Sequence, residues 1–469
     1  MFGAGDSEAG LRKQQAPRFL ELPGCRDLLP LVSADPRRYP SLLESAAPGA
    51  NARWDILFAF PDETLLLHAD GRVRDAAGSD RGEHFLREID RTFSRNRKQF
   101  DSPQDLPFTG GWLLYLGYEL AGQVEPTLRL PRDSRSDVPI AVALHCPAAI
   151  LIDRQRERTW LVAENDEHLD LLGAMQRDLE SSCANPRMPD SMPHPPDIIE
   201  DDPASFVAGV ERIHHYLRSG DTFQVNLSRH WRARYSSPMN PVAIYDSLRR
   251  ANPAPFAGLL QYGDWAIASS SPERLLEIRN GIAQTRPIAG TRPRLTGEDE
   301  HARIRELLAH AKERAEHVML IDLERNDLGR ICAPGTIEVD ELMAVESYAH
   351  VHHIVSNVRG RVREGVTPGQ AIAAVFPGGT ITGCPKVRCM EIIAELERSA
   401  RGPYTGALGY LCNNGDMDLN ILIRTLHLRG NEVTFRAGAG IVADSDALRE
   451  LEETRAKARG LLRALGSPA

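Results

Sequence analysis

The chain has 469 residues, enough for two or three ordinary domains or one large one, with 42% hydrophobic and 26% charged residues as in soluble globular proteins. A net charge of -9, with basic residues dispersed among acidic ones, gives no reason to expect nucleic acid as a partner. No apolar run is long enough to span a bilayer and the start lacks a signal peptide's apolar core, so we expect a cytoplasmic protein without a membrane segment.

The predicted elements change in character near the middle of the chain. Strand-like runs such as WDILFAF (54–60) and AAILIDR (148–154) come first, separated by polar turns. Residues 181–203 are rich in proline and poor in apolar residues, which predicts an exposed linker. We therefore predict an N-terminal part over 1–180, this linker, and a catalytic domain over 204–469.

The second part mixes helices and strands. It begins with a predicted helix, ASFVAGVERIHHYLRSG, and a second helix is predicted for DEHARIRELLAHAKERAEHVMLIDLE. The predicted strands are FQVNLSRHW, WAIASSS, TRPIAGT, HVHHIVSNV, TGALGYL, LNILIRTLHLR and EVTFRAGAGIV. Because turns rather than crossover helices separate many of these strands, the pattern favours antiparallel sheets and an α+β fold class.

Two segments carry paired carboxylates. Glu313 and Glu316 are three residues apart, as are Glu450 and Glu453, and Lys457 follows four residues later. On helices each pair projects from one face. If the two helices converge, these oxygens could hold a magnesium ion; the alternative is two solvated helix faces with surface ion pairs.

Three further segments suggest a pocket for an anion. In FPGGTITGCPKVRCMEIIAELE, a glycine-rich turn runs into a helix start near Lys386, but Pro385 does not fit a phosphate loop, and a carboxylate or enol oxygen fits better. Arg424, predicted within an apolar strand, needs a partner, and the glycines of 438–440 let a ligand approach the backbone. The histidine-rich stretch YAHVHHIVS (348–356) has two interpretations. Either one histidine acts near a leaving group, or it is an ordinary buried histidine.

The stretch TRPIAGTRPR (285–294) places a small, apolar centre between arginines. Taken alone, it is either a turn or one wall of a site for an anionic ligand.

In this order, these segments resemble the chorismate-utilising enzymes. The similar stretches are GDTFQVNLS, SSSPERLLEI, TRPIAGTRPR, KERAEHVMLIDLERNDLGR, HVHHIVS, FPGGTITGCPK, YTGALGY, MDLNILIRT, GAGIVADSD and EETRAKA. LLES (42–45) and GGWLLYLGYEL (110–120) resemble the family more loosely. The resemblance implies two large, mostly antiparallel β-sheets packed as a sandwich with flanking helices.

The resemblance also implies roles for individual residues. Expected magnesium ligands are Glu316 and Glu453, supported by Glu313 and Glu450. Expected substrate contacts are Gly290, Thr291, Tyr404, Arg424, Gly438, Ala439, Gly440 and Lys457. His353 and Glu273 match residues near the departing hydroxyl of chorismate, and Thr380 and Lys386 are expected to line the same pocket.

The expected reaction depends on two positions. Where relatives that add water to chorismate place a lysine base, this chain has Gln224, which favours ammonia. Ala289 stands where many enzymes that make 4-amino-4-deoxychorismate resemble PIKGT, and it favours the anthranilate-forming reaction instead. The stretches QVNLS, NPAPF, FPGGTITG and MDLNILIRT favour 4-amino-4-deoxychorismate, the first intermediate of 4-aminobenzoate and folate biosynthesis, and this is the reaction we expect.

A partner subunit and a second binding pocket remain to be considered. The chain shows no glutaminase nucleophile in a GxCxG setting, so we expect a separate glutamine amidotransferase subunit to supply ammonia. Residues resembling Ser45, Pro255 and Phe256 line a tryptophan pocket in relatives, and the alternative is that LLES only begins a core strand.

Overall fold

The computed structural model describes residues 16–47, 52–97, 105–132, 138–184, 197–293, 305, 311–347 and 351–467. Within these ranges the side chains of 183–184, 291–293, 311–313 and 351 are not described. Of the predicted linker, residues 185–196 lie outside the described residues, as does His350 of the histidine-rich stretch. None of the helices in the described ranges is both long and apolar enough to cross a membrane.

The strands are distributed along the described chain. They are β1 Arg18–Pro23, β2 Ser41–Glu44, β3 Trp54–Ala59, β4 Glu63–Leu67, β5 Val73–Asp75, β6 Asp80–Gly82, β7 Gly111–Leu116, β8 Ala141–Cys146, β9 Ala148–Asp153, β10 Arg158–Ala163, β11 Ile198–Glu200 and β12 Gln224–Arg234. They continue with β13 Phe256–Tyr262, β14 Trp265–Ser271, β15 Arg274–Arg279, β16 Ile282–Thr285, β17 Ile288–Pro293, β18 Glu338–Ser347, β19 Val351–Arg361, β20 Gly383–Cys384, β21 Ala407–Cys412, β22 Met417–Ile421, β23 Thr425–Arg429 and β24 Glu432–Ile441.

The helices lie between groups of strands and at the C-terminal end. They are α1 Leu29–Ala34, α2 Phe85–Asn96, α3 Ala121–Val124, α4 Leu169–Ala184, α5 Pro203–Arg218, α6 Pro241–Ala251, α7 Ala311–Gly329, α8 Pro368–Val375, α9 Lys386–Glu397 and α10 Ala447–Ala464. Side-chain oxygens of Asp202, Asn240, Thr367 and Asp446 accept backbone N–H groups at the starts of α5, α6, α8 and α10.

The strands form two large antiparallel sheets. The first has the order β1-β10-β9-β3-β2-β13-β14-β23-β24-β12-β11, with β20 paired to β12. The second has the order β17-β19-β16-β15-β22-β21-β7-β8-β4-β5-β6, with β18 paired to β19. Strands from both sides of the predicted linker pair with each other in each sheet, for example β2 with β13 and β7 with β21. The division into an N-terminal part, linker and catalytic domain stays a prediction.

Three apolar layers hold the sandwich together. Along β9, Ala149 and Leu151 pack between the sheets, whereas Ile150 and Ile152 pack outwards against helices α1, α4, α6 and α10. Helices α2, α7 and α8 cover the outer face of the second sheet in the same manner. Because alternate side chains point to opposite faces and both faces are covered, central strands are buried along their whole length, as in β8 and β9.

One predicted strand is wrong in a way that affects the site. LNILIRTLHLR is not continuous: β22 belongs to the second sheet and β23 to the first. Arg424 lies between them with φ 54°, in the left-handed region. The chain crosses from one sheet to the other at this arginine, so Arg424 is not a strand residue. The predicted strand TRPIAGT is also interrupted, because β16 ends at Thr285 and β17 begins at Ile288. The other predicted strands are confirmed over their described residues.

Candidate active site

One side of the candidate pocket, called its floor here, is formed by β24, whose backbone lies very close to neighbouring atoms. On β24, a Cβ added at Gly438 would lie 2.7 Å from both the Tyr404 hydroxyl and the Leu227 carbonyl oxygen, and one added at Gly440 would clash with the Gln224 amide. At Gly438 the obstacle includes backbone, so only glycine fits, whereas at Gly440 the close atoms are the end of the flexible Gln224 side chain. Ala439 points the other way, because its methyl group is buried with Val225 and Leu227 in an apolar cluster.

Two carboxylates approach this floor from different helices. Glu316 of α7 accepts a hydrogen bond of 3.2 Å from Gln224 Nε2. Glu453 of α10 pairs at 2.7 Å with Lys457, whose ammonium donates to the Gly438 carbonyl oxygen at 3.0 Å. These contacts bring the expected ligands to opposite ends of the same short segment of β24.

The carboxylate oxygens that approach this floor suit a hydrated hard cation. Glu450 lies half-buried one turn before Glu453, whereas the side chain of Glu313 is not described. Among the described side chains, no three His, Cys, Asp or Glu residues gather at one point. The described carboxylates are hard oxygen donors, the type of ligand that magnesium prefers.

Arg424 faces the pocket without an ion-pair partner among the described residues. Its guanidinium is half-buried, and the closest charges around it are those of Glu453 and Glu273, with the Tyr404 ring alongside. A partly buried guanidinium is costly unless it binds an acceptor. Arg424 is therefore suited to bind a planar carboxylate, because two of the N–H groups of its guanidinium can donate to the two carboxylate oxygens.

Glu273 is a buried carboxyl that is partly protonated at neutral pH. Burial raises the pKa of Glu273 to about 7, and the neighbouring Thr380 hydroxyl, the Ile288 backbone and the charges of Lys457 and Arg424 oppose that rise. Glu273 Oε1 and Thr380 Oγ1 are both buried; the hydroxyl lies near the carboxyl, but within the described residues neither atom has a hydrogen bond of normal geometry. A carboxyl with this pKa and a free oxygen can donate a proton to a ligand.

His353 is nearby and uncharged. Burial and the Arg424 charge lower the pKa of His353 to about 4, against a hydrogen bond to the backbone of Gly290. Gly290 forms a bulge with φ 73° between Ala289 and Thr291, and Thr291 pairs with His353 in the sheet. A neutral imidazole can bind a hydroxyl group, whereas Glu273 has the better pKa for giving a proton at neutral pH.

Lys386 has partners within the protein. Its ammonium pairs with Asp327 at 2.5 Å and donates to the Val375 carbonyl oxygen at 3.2 Å. These contacts direct Lys386 to α7 rather than to Arg424 and Gly438.

Sequence reasoning missed Glu324, which is 4% exposed and accepts a hydrogen bond of 3.1 Å from Thr285. Burial and the charge of Asp327 raise the pKa of Glu324 to about 8. A sequence signal for the burial of Glu324 was available in its spacing. It shares one helix face with Glu316, Leu320 and Asp327.

A separate cavity of about 340 Å³ includes the residues of the expected tryptophan pocket. Ser45, Pro255 and Phe256 line it, and Ser45 Oγ donates to the Pro255 carbonyl oxygen at 3.0 Å. Arg274 contributes to another wall and lies 5.1 Å from the Phe256 ring centroid. The cavity is large enough for an aromatic amino acid.

The fold and the pocket define an enzyme of two packed antiparallel sheets that acts on a small anionic substrate. The family of chorismate binding enzymes matches residues 42–463. The chain belongs to this family and is a chorismate-utilising enzyme.

The relatives carry different names. Over 370 residues, the chain is 44% identical to the anthranilate synthase component I-like protein of Synechocystis sp., covering 77% of this chain and 74% of that protein. Over 371 residues it is 42% identical to aminodeoxychorismate synthase component 1 of Bacillus subtilis, covering 76% and 77%. The crystal structure of anthranilate synthase component I from Streptococcus pneumoniae superposes with a TM-score of 0.76 at 33% identity, covering 87% of this chain and 92% of that one.

Proposed function

We propose that the protein aminates chorismate with ammonia to 4-amino-4-deoxychorismate, in a magnesium-dependent reaction. The observation that carries the proposal is Gln224, at the edge of the pocket. Its amide donates to Glu316 and cannot take a proton from water, so the chain has no base at this position to activate water as a nucleophile. Ammonia needs no such base, because its neutral form already has a nucleophilic lone pair.

The proposed roles follow from the geometry. Arg424 binds a carboxylate of chorismate, with Tyr404 beside it and the Gly438–Gly440 backbone beneath it. Glu273 gives its proton to the departing ring hydroxyl, and His353 and Thr380 orient that group. In the net reaction a C–N bond forms, the ring C–O bond breaks, and the oxygen leaves as water.

Magnesium is the proposed cofactor. Glu316 and Glu453 would hold it, with Glu450 and Glu313 supporting bound waters. When bound, it would draw electron density toward the ring carboxylate and ease loss of the hydroxyl. Lys457 keeps Glu453 oriented through their ion pair of 2.7 Å.

A second candidate function is anthranilate synthesis with release of pyruvate. Ala289 supports it: this residue is 6% exposed and carries no amine that could attack C2. We prefer the 4-amino product because the stretches QVNLS, NPAPF, FPGGTITG and MDLNILIRT favour it. Our mechanistic hypothesis is that ammonia makes the first attack in place of a protein amine.

Product analysis tests the choice. Purified protein is incubated with chorismate, magnesium and ammonium salt, and the products are separated by chromatography. We expect 4-amino-4-deoxychorismate; anthranilate formed without an added lyase would refute the preferred reaction and support the alternative.

We further propose that a separate glutamine amidotransferase subunit supplies ammonia in the cell. The protein alone should use ammonium salt but not glutamine. Turnover with glutamine and no added subunit would contradict this part of the proposal.

A further inference from the structure

A buried charge cluster lies beside the candidate pocket and has no role in the reaction proposed above. It consists of Glu397, the last residue of α9, with Arg401 and Arg436. Arg401 donates to one oxygen of the Glu397 carboxylate at 2.6 Å, and Arg436 donates to the other at 2.9 Å. The three side chains are between 1% and 5% exposed. Two guanidinium groups therefore share one carboxylate in the interior.

Stability alone does not account for such a cluster. Taking ions out of water is costly, and a buried ion pair replaced by well-packed apolar side chains often leaves the protein equally or more stable. What a buried guanidinium provides is a fixed direction, because its planar set of N–H groups must reach acceptors. The groups that Arg401 contacts therefore indicate what this residue holds in place.

Arg401 is fixed to two segments that border the pocket. Its guanidinium donates to the Asn226 carbonyl oxygen at 2.8 Å and to the Ile381 carbonyl oxygen at 3.3 Å. Asn226 lies next to the floor, because a Cβ added at Gly438 would be 2.8 Å from Asn226 Oδ1. Ile381 directly follows Thr380 of the proposed pocket. These two hydrogen bonds set the position of the guanidinium relative to the floor.

From this position Arg401 contacts Tyr404. Its guanidinium carbon lies 5.4 Å from the centroid of the Tyr404 ring, and its backbone carbonyl oxygen accepts the Tyr404 N–H at 3.2 Å. Attraction between a cation and an aromatic ring is stronger where both are shielded from water, as they are here. The Tyr404 hydroxyl at the other end of this ring lies against Gly438. The place of that hydroxyl above the floor therefore depends on Arg401.

Arg436 shares the carboxylate but has different neighbours. Its guanidinium donates to Ser228 Oγ at 3.0 Å and to Ser399 Oγ at 3.1 Å. Within the described part of the chain, the cation that lies over the Tyr404 ring is Arg401 and not Arg436. Removing either arginine leaves Glu397 paired with the other one. Arg436 is thus a matched control for the burial and the ion pair of Arg401.

We propose that Arg401 is a positioning residue, which holds the Tyr404 hydroxyl where it contacts a carboxylate of chorismate. The inference rests on the proposed function, in which Tyr404 lies beside the carboxylate that Arg424 binds. Arg401 does not touch the substrate. It acts through the ring that it contacts and through its bonds to the segments around the floor.

A double-mutant cycle tests this role. The variants are Arg401→Lys, Tyr404→Phe and their combination, and calorimetry measures the Kd of chorismate with magnesium present and ammonia absent. We expect Tyr404→Phe and Arg401→Lys each to raise this Kd about tenfold. Beside Tyr404→Phe, Arg401→Lys should raise it by at most about twofold further, because the hydroxyl that Arg401 positions is then gone. The KM for ammonia, from initial rates, should stay unchanged.

Arg436→Lys, alone and combined with Tyr404→Phe, is the control series. It should change the Kd of chorismate by less than about twofold in either background. Circular dichroism and thermal melting establish that each variant is folded. If Arg401→Lys does not fold, Arg401→Gln takes its place with the same expectation, because Glu397 then keeps its ion pair with Arg436.

Other results would overturn the proposal. If Arg401→Lys and Arg436→Lys raise the Kd of chorismate equally, and their effects add to that of Tyr404→Phe, the cluster only stabilises the fold. If Tyr404→Phe alone leaves this Kd unchanged, its hydroxyl is not a substrate contact and the inference fails, whereas the product analysis of the proposed function is unaffected. If the unmodified protein binds no chorismate, the proposed function itself fails and this inference fails with it.

Discussion

Glu273 and Arg274 are consecutive residues whose side chains lie in different cavities. Glu273 lies beside Thr380 and Arg424 in the proposed chorismate pocket, whereas Arg274 lines the cavity of Ser45 and Phe256. Arg274 is held there by two hydrogen bonds of 2.9 Å to Asp418. A ligand that displaces Arg274 therefore acts on the residue next to the proposed proton donor.

We expect tryptophan to bind the cavity of Ser45 and Phe256 and to slow turnover. Ser45→Leu should weaken tryptophan binding at least about tenfold, because a larger side chain replaces a hydroxyl in a packed site. Isothermal calorimetry measures the binding, and Ser94→Leu on the exposed face of α2 is the control. No heat of binding with the unmodified protein would favour the alternative in which LLES is only a core strand.

Turnover should fall as the pH rises above about 7. Glu273 must be protonated to act as the acid, and its raised pKa of about 7 means that the proton is lost through this range. Glu273→Gln should lower kcat by about 10²–10⁴ while chorismate still binds. Steady-state rates between pH 5 and 9 measure both effects when free ammonia is kept saturating at each pH, because the fraction of neutral ammonia also rises with pH. A flat kcat profile for the unmodified protein under these conditions would exclude Glu273 as the acid.

Loss of either proposed magnesium ligand should impair metal use before it affects folding. Glu316→Gln and Glu453→Gln should each raise the magnesium concentration for half-maximal rate by about tenfold or more. Glu452→Gln is a matched control, because Glu452 is the exposed neighbour of Glu453 and pairs with Arg455. Equal magnesium titration curves for all three variants would remove the metal assignment.

Arg424→Lys should weaken chorismate binding although the positive charge is kept. A lysine cannot reproduce bidentate binding of a carboxylate, so we expect a rise in the chorismate KM of about 10-fold to 100-fold. Arg459→Lys on the exposed side of α10 should behave like the unmodified protein. If Arg424→Lys has an unchanged KM, the carboxylate is bound elsewhere.

Glu324 should make stability depend on pH. Its pKa rises from 4.5 to about 8 on folding, so its stabilising proton is fully present below the unfolded value and is lost as the pH rises through about 8. Glu324→Gln should therefore be more stable than the unmodified protein at pH 9, by roughly 2 kcal/mol, with a smaller difference at pH 5. Urea unfolding at both pH values tests this, with the exposed Glu364→Gln as control; equal destabilisation at both would contradict it.

The sequence predicted most strands of both sheets because alternation and turn residues are local signals. Arg424 was misplaced, because an apolar strand and a crossover between sheets have the same local composition. Lys386 stays a predicted pocket residue, and its ion pair with Asp327 was not predictable because the two residues are distant in sequence and meet only in the folded chain. Glu324 was missed for the related reason that its burial depends on how α7 packs.

The crossing at Arg424 has a mechanical consequence. Residue 421 ends a strand of one sheet and residue 425 begins a strand of the other, so the backbone on the two sides of Arg424 belongs to different layers of the sandwich. A carboxylate bound to Arg424 therefore depends on how the two sheets lie against each other. A substitution that shifts one sheet relative to the other is expected to weaken substrate binding even when it lies far from Arg424.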